Sequence, residues 1–191
     1  MELRDFGHTG LLVSPLGFGA MHINDHRTSE DEAGQLLNAV LDLGVNLIDT
    51  ARGYGLSEAR IGRHLAHRRN DFVLSTKVGY LVDGVPDWTY DCNVGGVERA
   101  LRVMKTDWLD IVHLHSCPLH ILDQDEVVRA LDDCRSRGKL GVAAYSGDNA
   151  ELSRAIADDL ALVEKGPLPP AQQSMLRHAF VDKQQAWQGL I

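Results

Sequence analysis

Four ionisable side chains are placed so that they could act together: Asp49, Tyr54, Lys77 and His115. Asp49 lies near the end of the apolar run Asn46–Ala51 (NLIDTA), and Tyr54 sits in the glycine-flanked loop just after it. Lys77 falls at the end of Phe72–Val78 (FVLSTKV), and His115 at the end of Leu109–Ser116 (LDIVHLHS). A lysine in so apolar a run needs a counter-ion, and Asp49 on the neighbouring run is a suitable one. A charged Lys77 beside Tyr54 favours the tyrosinate, which makes the phenol a usable general acid toward a carbonyl oxygen and a base in reverse. His115 can orient that oxygen by a hydrogen bond. These groups move protons but carry no hydride, so carbonyl reduction here implies a nicotinamide cofactor.

Such a site needs a scaffold that gathers strand ends. Leu3 to Val13, turning at Gly7-His8-Thr9-Gly10, reads as a small hairpin. Leu16–Met21 (LGFGAM) then reads as a buried strand. Ser29 with Glu32 forms a capping box before a helix carrying Ala33, Leu36, Leu37, Val40 and Leu43, and Gly44 stops it. Asn46–Ala51 is the second strand, and Ser57 is expected to cap a helix with Ile61 and Leu65. Phe72–Val78, Leu109–Ser116 and Lys139–Ser146 follow as strands. Helices carrying Val94, Val97, Leu101 and Met104, and then Val127, Val128, Leu131 and Cys134, lie between them, with Gly138 ending the second. A fifth helix is expected over residues 150–159. Strand and helix alternate at about thirty-residue intervals, which indicates βαβ units and a parallel sheet. In a parallel β/α barrel the carboxyl ends of the strands open onto one face, where active sites are built. Phe18, Ile48 and Val112 are expected on the inner face.

The bulk numbers exclude several classes. A 191-residue chain with net charge −8 has no basic face for nucleic acid or an anionic membrane. No apolar run is long enough to span a bilayer, and MELRDFGHTG lacks a signal-peptide core. Cys92, Cys117 and Cys134 form no CxxC and are odd in number, so reduced thiols and a cytoplasmic setting are expected. Gly17-Phe18-Gly19 lacks the third glycine and the acidic residue of a dinucleotide fingerprint. His113, His115 and Cys117 alternate along one side of a strand, a spacing that could hold zinc in a metal-dependent hydrolase. The alternative places His113 as a buried residue one layer below His115.

The segments Ile48-Asp49-Thr50-Ala51-Arg52-Gly53-Tyr54-Gly55, Ser57-Glu58 and Ile61-Gly62 resemble the signature of the aldo-keto reductase family. Ser75-Thr76-Lys77, Asp110-Ile111-Val112-His113-Leu114-His115, the opening Gly17–Met21 and the Gly138–Ser146 stretch are similar to that family in order and spacing. The resemblance covers about residues 1–158. It implies a (β/α)8 barrel that reduces aldehydes or ketones with NADPH, NADH being the other option. It implies that Tyr54 is the proton donor, that Asp49 and Lys77 tune it, and that His115 positions the carbonyl. Ser146 would bind the nicotinamide carboxamide, and Gly19, Ala20 and Met21 would line the cofactor cleft. The family's serine is often followed by Asn, and here by Gly147.

Where a sixth strand is due, Glu164-Lys165-Gly166-Pro167-Leu168-Pro169-Pro170 is turn chemistry, followed by a helix pattern with Met175, Leu176, Ala179, Phe180 and Val181. Residues 159–191 resemble the family's C-terminal end. The expectation is therefore an α/β fold in one aldo-keto reductase-like domain over residues 1–191. It has about five parallel βα units, an N-terminal hairpin and a C-terminal helix, arranged as an incomplete, truncated TIM-type barrel. Open edges at the first and fifth strands would favour self-association. The function expected is NADP(H)-dependent reduction of a small-molecule carbonyl substrate. The alternatives are a non-catalytic remnant acting as a binding or interaction module, and the metal-dependent hydrolase.

Overall fold

Strands that are apolar on both faces must be covered on both, and here helices cover one side and the N-terminal hairpin part of the other. The computed structural model describes residues 1–122 and 124–147. They belong to the unit Met1–Ile156. The expected helix over residues 150–159, the later breaker segment and the C-terminal helix lie outside the described residues.

The hairpin is present as β1 (Arg4–Asp5) and β2 (Leu12–Val13), paired antiparallel. The parallel sheet comprises β3 (Gly17–Gly19), β4 (Leu47–Asp49), β5 (Val73–Val78), β6 (Leu109–His115) and β7 (Leu140–Ser146), with spatial order equal to chain order. Between them run α1 (Glu30–Asp42), α2 (Ser57–His64), α3 (Tyr90–Met104), the short α4 (Leu119–Leu122) and α5 (Glu126–Ser136). This is the α/β fold expected, the front of a barrel with each strand laid beside its predecessor. Among the described residues no helix is long and apolar enough to cross a membrane.

Local chemistry explains the starts of α1 and α3. Ser29 Oγ accepts from the Glu32 amide while the Glu32 carboxylate accepts from the Ser29 amide, so both halves of the capping box form. Thr89 caps α3 by accepting from the Cys92 amide. Leu36 and Leu43 are exposed, because the buried stripe of α1 runs through Ala33, Gly34, Leu37, Val40 and Leu41 and leaves them on its flank.

Three expectations are corrected. Leu16–Met21 is not a buried strand: only Gly17–Gly19 is extended, with Gly17 and Gly19 exposed, and Ala20–Ile23 turns into a 3-10 helix. Among the described residues β3 has β4 as its one sheet partner, and Leu16 just before it is 63% exposed. Ser57 does not cap α2; it is the first helical residue. Its hydroxyl instead lies 2.8 Å from Thr50 Oγ1 and donates to the Ala20 carbonyl at 2.9 Å, tying the start of α2 to the ends of β3 and β4. Ile48 and Val112 do not face inward. Both are fully buried, because each alternates with an inward neighbour, Asp49 or His113, and so turns to the opposite face of the sheet. Phe18 pairs with Ile48 in the same register and shares that face.

The opposite face is also braced by charge. Glu58 is 2% exposed; it accepts from Thr76 Oγ1 at 2.8 Å and pairs with Arg99 of α3. A buried carboxylate satisfied by a strand hydroxyl and a helix guanidinium locks α2, β5 and α3 together.

Candidate active site

Period-two alternation and the pairing register together decide which side chains meet on the concave face. Leu47 pairs with Val73, Asp49 with Ser75, Ser75 with Ile111, and Ile111 with Val142. One step further Lys77 pairs with His113 and His113 with Ala144; beyond that His115 pairs with Ser146. The lower rows are apolar: Val13, Val73 and Ile111 form a buried cluster with Leu11, Leu47, Val142 and Ala144 against it. The hairpin thus seals the floor. The rows nearer the carboxyl ends carry Asp49, Ser75, Lys77, His113, His115 and Ser146.

Lys77 is only 5% exposed, so it is not a surface lysine. Its Nζ donates to Asp49 Oδ2 at 2.6 Å and to the Thr50 carbonyl at 2.8 Å. The same ammonium lies 4.9 Å from the centroid of the Tyr54 ring. The cation therefore meets the ring face, a contact favoured by the ring quadrupole and strengthened by burial. The other Asp49 oxygen accepts from Ser75 Oγ at 2.7 Å, and Ser75 Oγ lies 3.0 Å from His113 Nε2. Since the Ser75 proton points at Asp49, the serine oxygen accepts from His113. This chain links both sequence-identified groups of the pair to a serine and a histidine outside it.

The Tyr54 loop is held by its backbone. The Tyr54 amide donates to the Ala51 carbonyl, its carbonyl accepts from the Ser57 amide, and the Leu56 amide reaches the Asn24 carbonyl. The Tyr54 and His115 rings meet edge-on at 6.0 Å. Asp49, Tyr54, Lys77 and His115 are thereby brought to one place, as their strand-end positions suggested. Burial pushes the His115 pKa down, Lys77 adds to that, Asp49 opposes it and His113 lowers it further. His113 is also lowered, first by burial, with the Tyr145 backbone and Asp49 opposing and Lys77 reinforcing. Both imidazoles are therefore neutral at neutral pH.

The residues expected around a cofactor divide. Gly19 stands at the end of β3 in register with Asp49, and a Cβ there would meet nothing within 4 Å. Ser146 ends β7 beside His115 and is half-buried. Met21 is half-buried. Ala20, however, is fully buried with its carbonyl engaged by Ser57, so its methyl backs the wall rather than lining an opening.

Two groups were not singled out from sequence. Ser75 was recoverable, since it lies two residues before Lys77 on one strand and must share its face. Tyr80 was not, because it lies past the strand end where no periodicity applies. Its hydroxyl is 2.6 Å from His115 Nδ1 and its ring stacks on the imidazole.

The zinc geometry does not form. Among the described residues no three His, Cys, Asp or Glu side chains converge as a metal-holding group. Cys117 is fully buried and its thiol is pushed up to about 12 by burial, far from the thiolate a metal needs. Two surface hollows of about 450 and 430 Å³ lie at the amino ends of the strands, near Thr106 and Trp108. Exposed Arg102, Lys105 and Asp107 line the first, and neither hollow includes Asp49, Tyr54, Lys77 or His115.

Residues 15–186 match the Aldo/keto reductase family. The chain is 32% identical over 176 residues to 6-dehydroglucose reductase of Novosphingobium aromaticivorans, covering 84% of this chain and 58% of that protein. It is 32% identical over 167 residues to L-galactose dehydrogenase of Arabidopsis thaliana, covering 83% and 52%. Among solved structures, the holo form of aldo-keto reductase AKR11C1 from Bacillus halodurans superposes with a TM-score of 0.75 at 31% identity, over 83% of this chain and 54% of that one. The chain spans between half and three-fifths of the length of these proteins.

Proposed function

Because the chain belongs to the Aldo/keto reductase family, we propose that its strand-end cluster is the proton-transfer site of an NADP(H)-dependent reductase of aldehydes or ketones. The observation that carries this reading is the buried Lys77, held by Asp49 and laid against the Tyr54 ring. An oxidoreductase of this family needs a donor for the carbonyl oxygen, and in this reading the Tyr54 phenol is that donor. Matched relatives with sugar names, among them 6-dehydroglucose reductase and L-galactose dehydrogenase, support a polyhydroxylated carbonyl compound as substrate.

The roles follow from the chain's own groups. Ser146 at the end of β7 would hold the carboxamide of a nicotinamide, while Gly19 and Met21 would leave room for it along β3 and the turn after. A reduced nicotinamide, when bound, supplies the hydride. Tyr54 gives its hydroxyl proton to the carbonyl oxygen as that oxygen gains charge. Lys77, held by Asp49 and the Thr50 carbonyl, stabilises negative charge on the phenol after the transfer. Neutral His115 donates a hydrogen bond to the same oxygen and fixes its direction. The apolar floor below Ser75 keeps water from the far side of these groups.

The test is a thermal melt of the 191-residue chain with NADPH, with NADH and without either, paired with turnover of a hexose-derived aldehyde. A melt that moves up with NADPH more than with NADH, as mass action requires of a native-state ligand, together with turnover, supports the reading. A cooperative melt that ignores both cofactors overturns it in favour of a non-catalytic module.

A further inference from the structure

We propose that Tyr80 is a positioning residue for His115: its hydroxyl donates to Nδ1, so that the imidazole presents Nε2–H to a carbonyl oxygen. The inference rests on the reductase reading for its use, but not for its test.

The contact is 2.6 Å long, a hydrogen bond whose direction the imidazole tautomer sets. The rings lie 5.4 Å apart at 25°, so the phenol reaches Nδ1 with its plane nearly parallel to the imidazole. Protonation agrees with this direction. His115 is neutral for the reasons given above, facing Lys77, Asp49, His113, Tyr54 and Tyr80. The Tyr80 phenol is pushed up first by burial, then by Tyr54 and Asp87, so it keeps its proton. A neutral imidazole that accepts at Nδ1 carries its hydrogen at Nε2. The opposite tautomer would turn a lone pair, not a donor, toward the carbonyl oxygen.

The segment after β5 is built to hold Tyr80 there. Gly79 has φ +129°, and a Cβ on it would lie 2.2 Å from the Trp88 indole, so the tryptophan packs where a side chain would otherwise be. The Trp88 amide donates back to the Gly79 carbonyl at 2.7 Å, and the Leu81 amide to Asp87 Oδ1 at 2.9 Å. Trp88 meets the Tyr80 ring edge-on at 5.7 Å. Leu81 and Trp88 both adopt positive φ, 65° and 61°, a strained state for bulky residues that persists only where surrounding contacts impose it. Strain collected around one phenol, whose hydroxyl ends on a site histidine, assigns that phenol a purpose beyond packing.

The experiment is long-range 1H–15N NMR on the histidine-labelled chain, with His115 identified by the signals lost in His115→Asn. The wild type is expected to show His115 with hydrogen at Nε2 and a bare Nδ1. Tyr80→Phe keeps the stacked ring and removes the donor. It should shift the tautomer ratio toward Nδ1–H by roughly two- to tenfold, the weight of one hydrogen bond. It should also raise the His115 titration midpoint, because the neutral form loses its partner. An Nδ1–H tautomer in the wild type overturns the proposal without any variant. So does a Tyr80→Phe chain whose His115 ratio and midpoint are unchanged. Absence of turnover would count against the reductase reading alone, since the tautomer is read without substrate.

Discussion

On the concave face, Leu47, Val73, Ile111 and Val142 pack against Leu11 and the buried Val13. Two residues further along the same strands, Asp49, Ser75 and His113 join Lys77 in a hydrogen-bonded chain. The lower rows hold the strands together by non-directional burial, which tolerates small displacements. The upper rows depend on directed contacts of 2.6–3.0 Å, which do not. The polar rows can be directed because the rows below them are packed: a lysine's reach to a carboxylate is only reproducible if both backbones are fixed. Chemistry and stability are thus separated by one step of strand period.

Four measurements test that separation. The largest effect is expected at Tyr54. Tyr54→Phe should lower kcat/KM for a carbonyl substrate by roughly 10²–10⁴, while the melting temperature and its rise with NADPH stay as in the wild type; a loss under tenfold would remove Tyr54 as the donor. Next is the floor. Ile111→Ala, at a position 2% exposed, should cost about 2–4 kcal/mol of stability and lower Tm by roughly 5–15 °C, with turnover kept at temperatures where the chain is folded. Selective loss of turnover with no change in Tm would erase the distinction between the rows.

Asp49→Asn should act on both sides of the divide. It leaves Lys77 with the Thr50 carbonyl and no counter-ion. Asp49 is 39% exposed on its side chain, so solvent offsets part of the loss. The expected cost is about 1–2 kcal/mol, below that of a fully buried pair, with turnover reduced as well. Chemical denaturation together with steady-state rates would read the two effects separately. The smallest effect is in pH. His113 and His115 both have folded-state pKa values below their unfolded ones. The unfolded chain then binds more protons, so stability rises with pH in this window. Their contribution is complete above about pH 6.5 and is lost as pH falls through the lowered folded values. Melts between pH 7 and 5 should show Tm falling with acidification, and His113→Asn should flatten part of that slope; an unchanged slope would free His113 from the charged rows.

Much of this arrangement is readable from residue order alone. The capping box at Ser29 and Glu32, the β/α alternation, and the convergence of Asp49, Tyr54, Lys77 and His115 all follow from local patterns. So does Ser75, because a strand turns every second side chain to one face. Register is what the patterns do not carry. Apolarity marked Ile48 and Val112 as core, yet both faces of this sheet are buried, so apolar character could not say which face they take. The register with Asp49 and His113 turns them toward the helices. Ser57 has the residue type of a cap, but its hydroxyl is engaged elsewhere, lying 2.8 Å from Thr50 Oγ1 and donating to the Ala20 carbonyl. Tyr80 reaches His115 across 35 residues through a loop whose path is set by Gly79, Asp87 and Trp88. Periodicity ends where the strand ends. From there the position of a side chain depends on which distant groups the folded chain has already put in reach, and that is a property of the assembled structure.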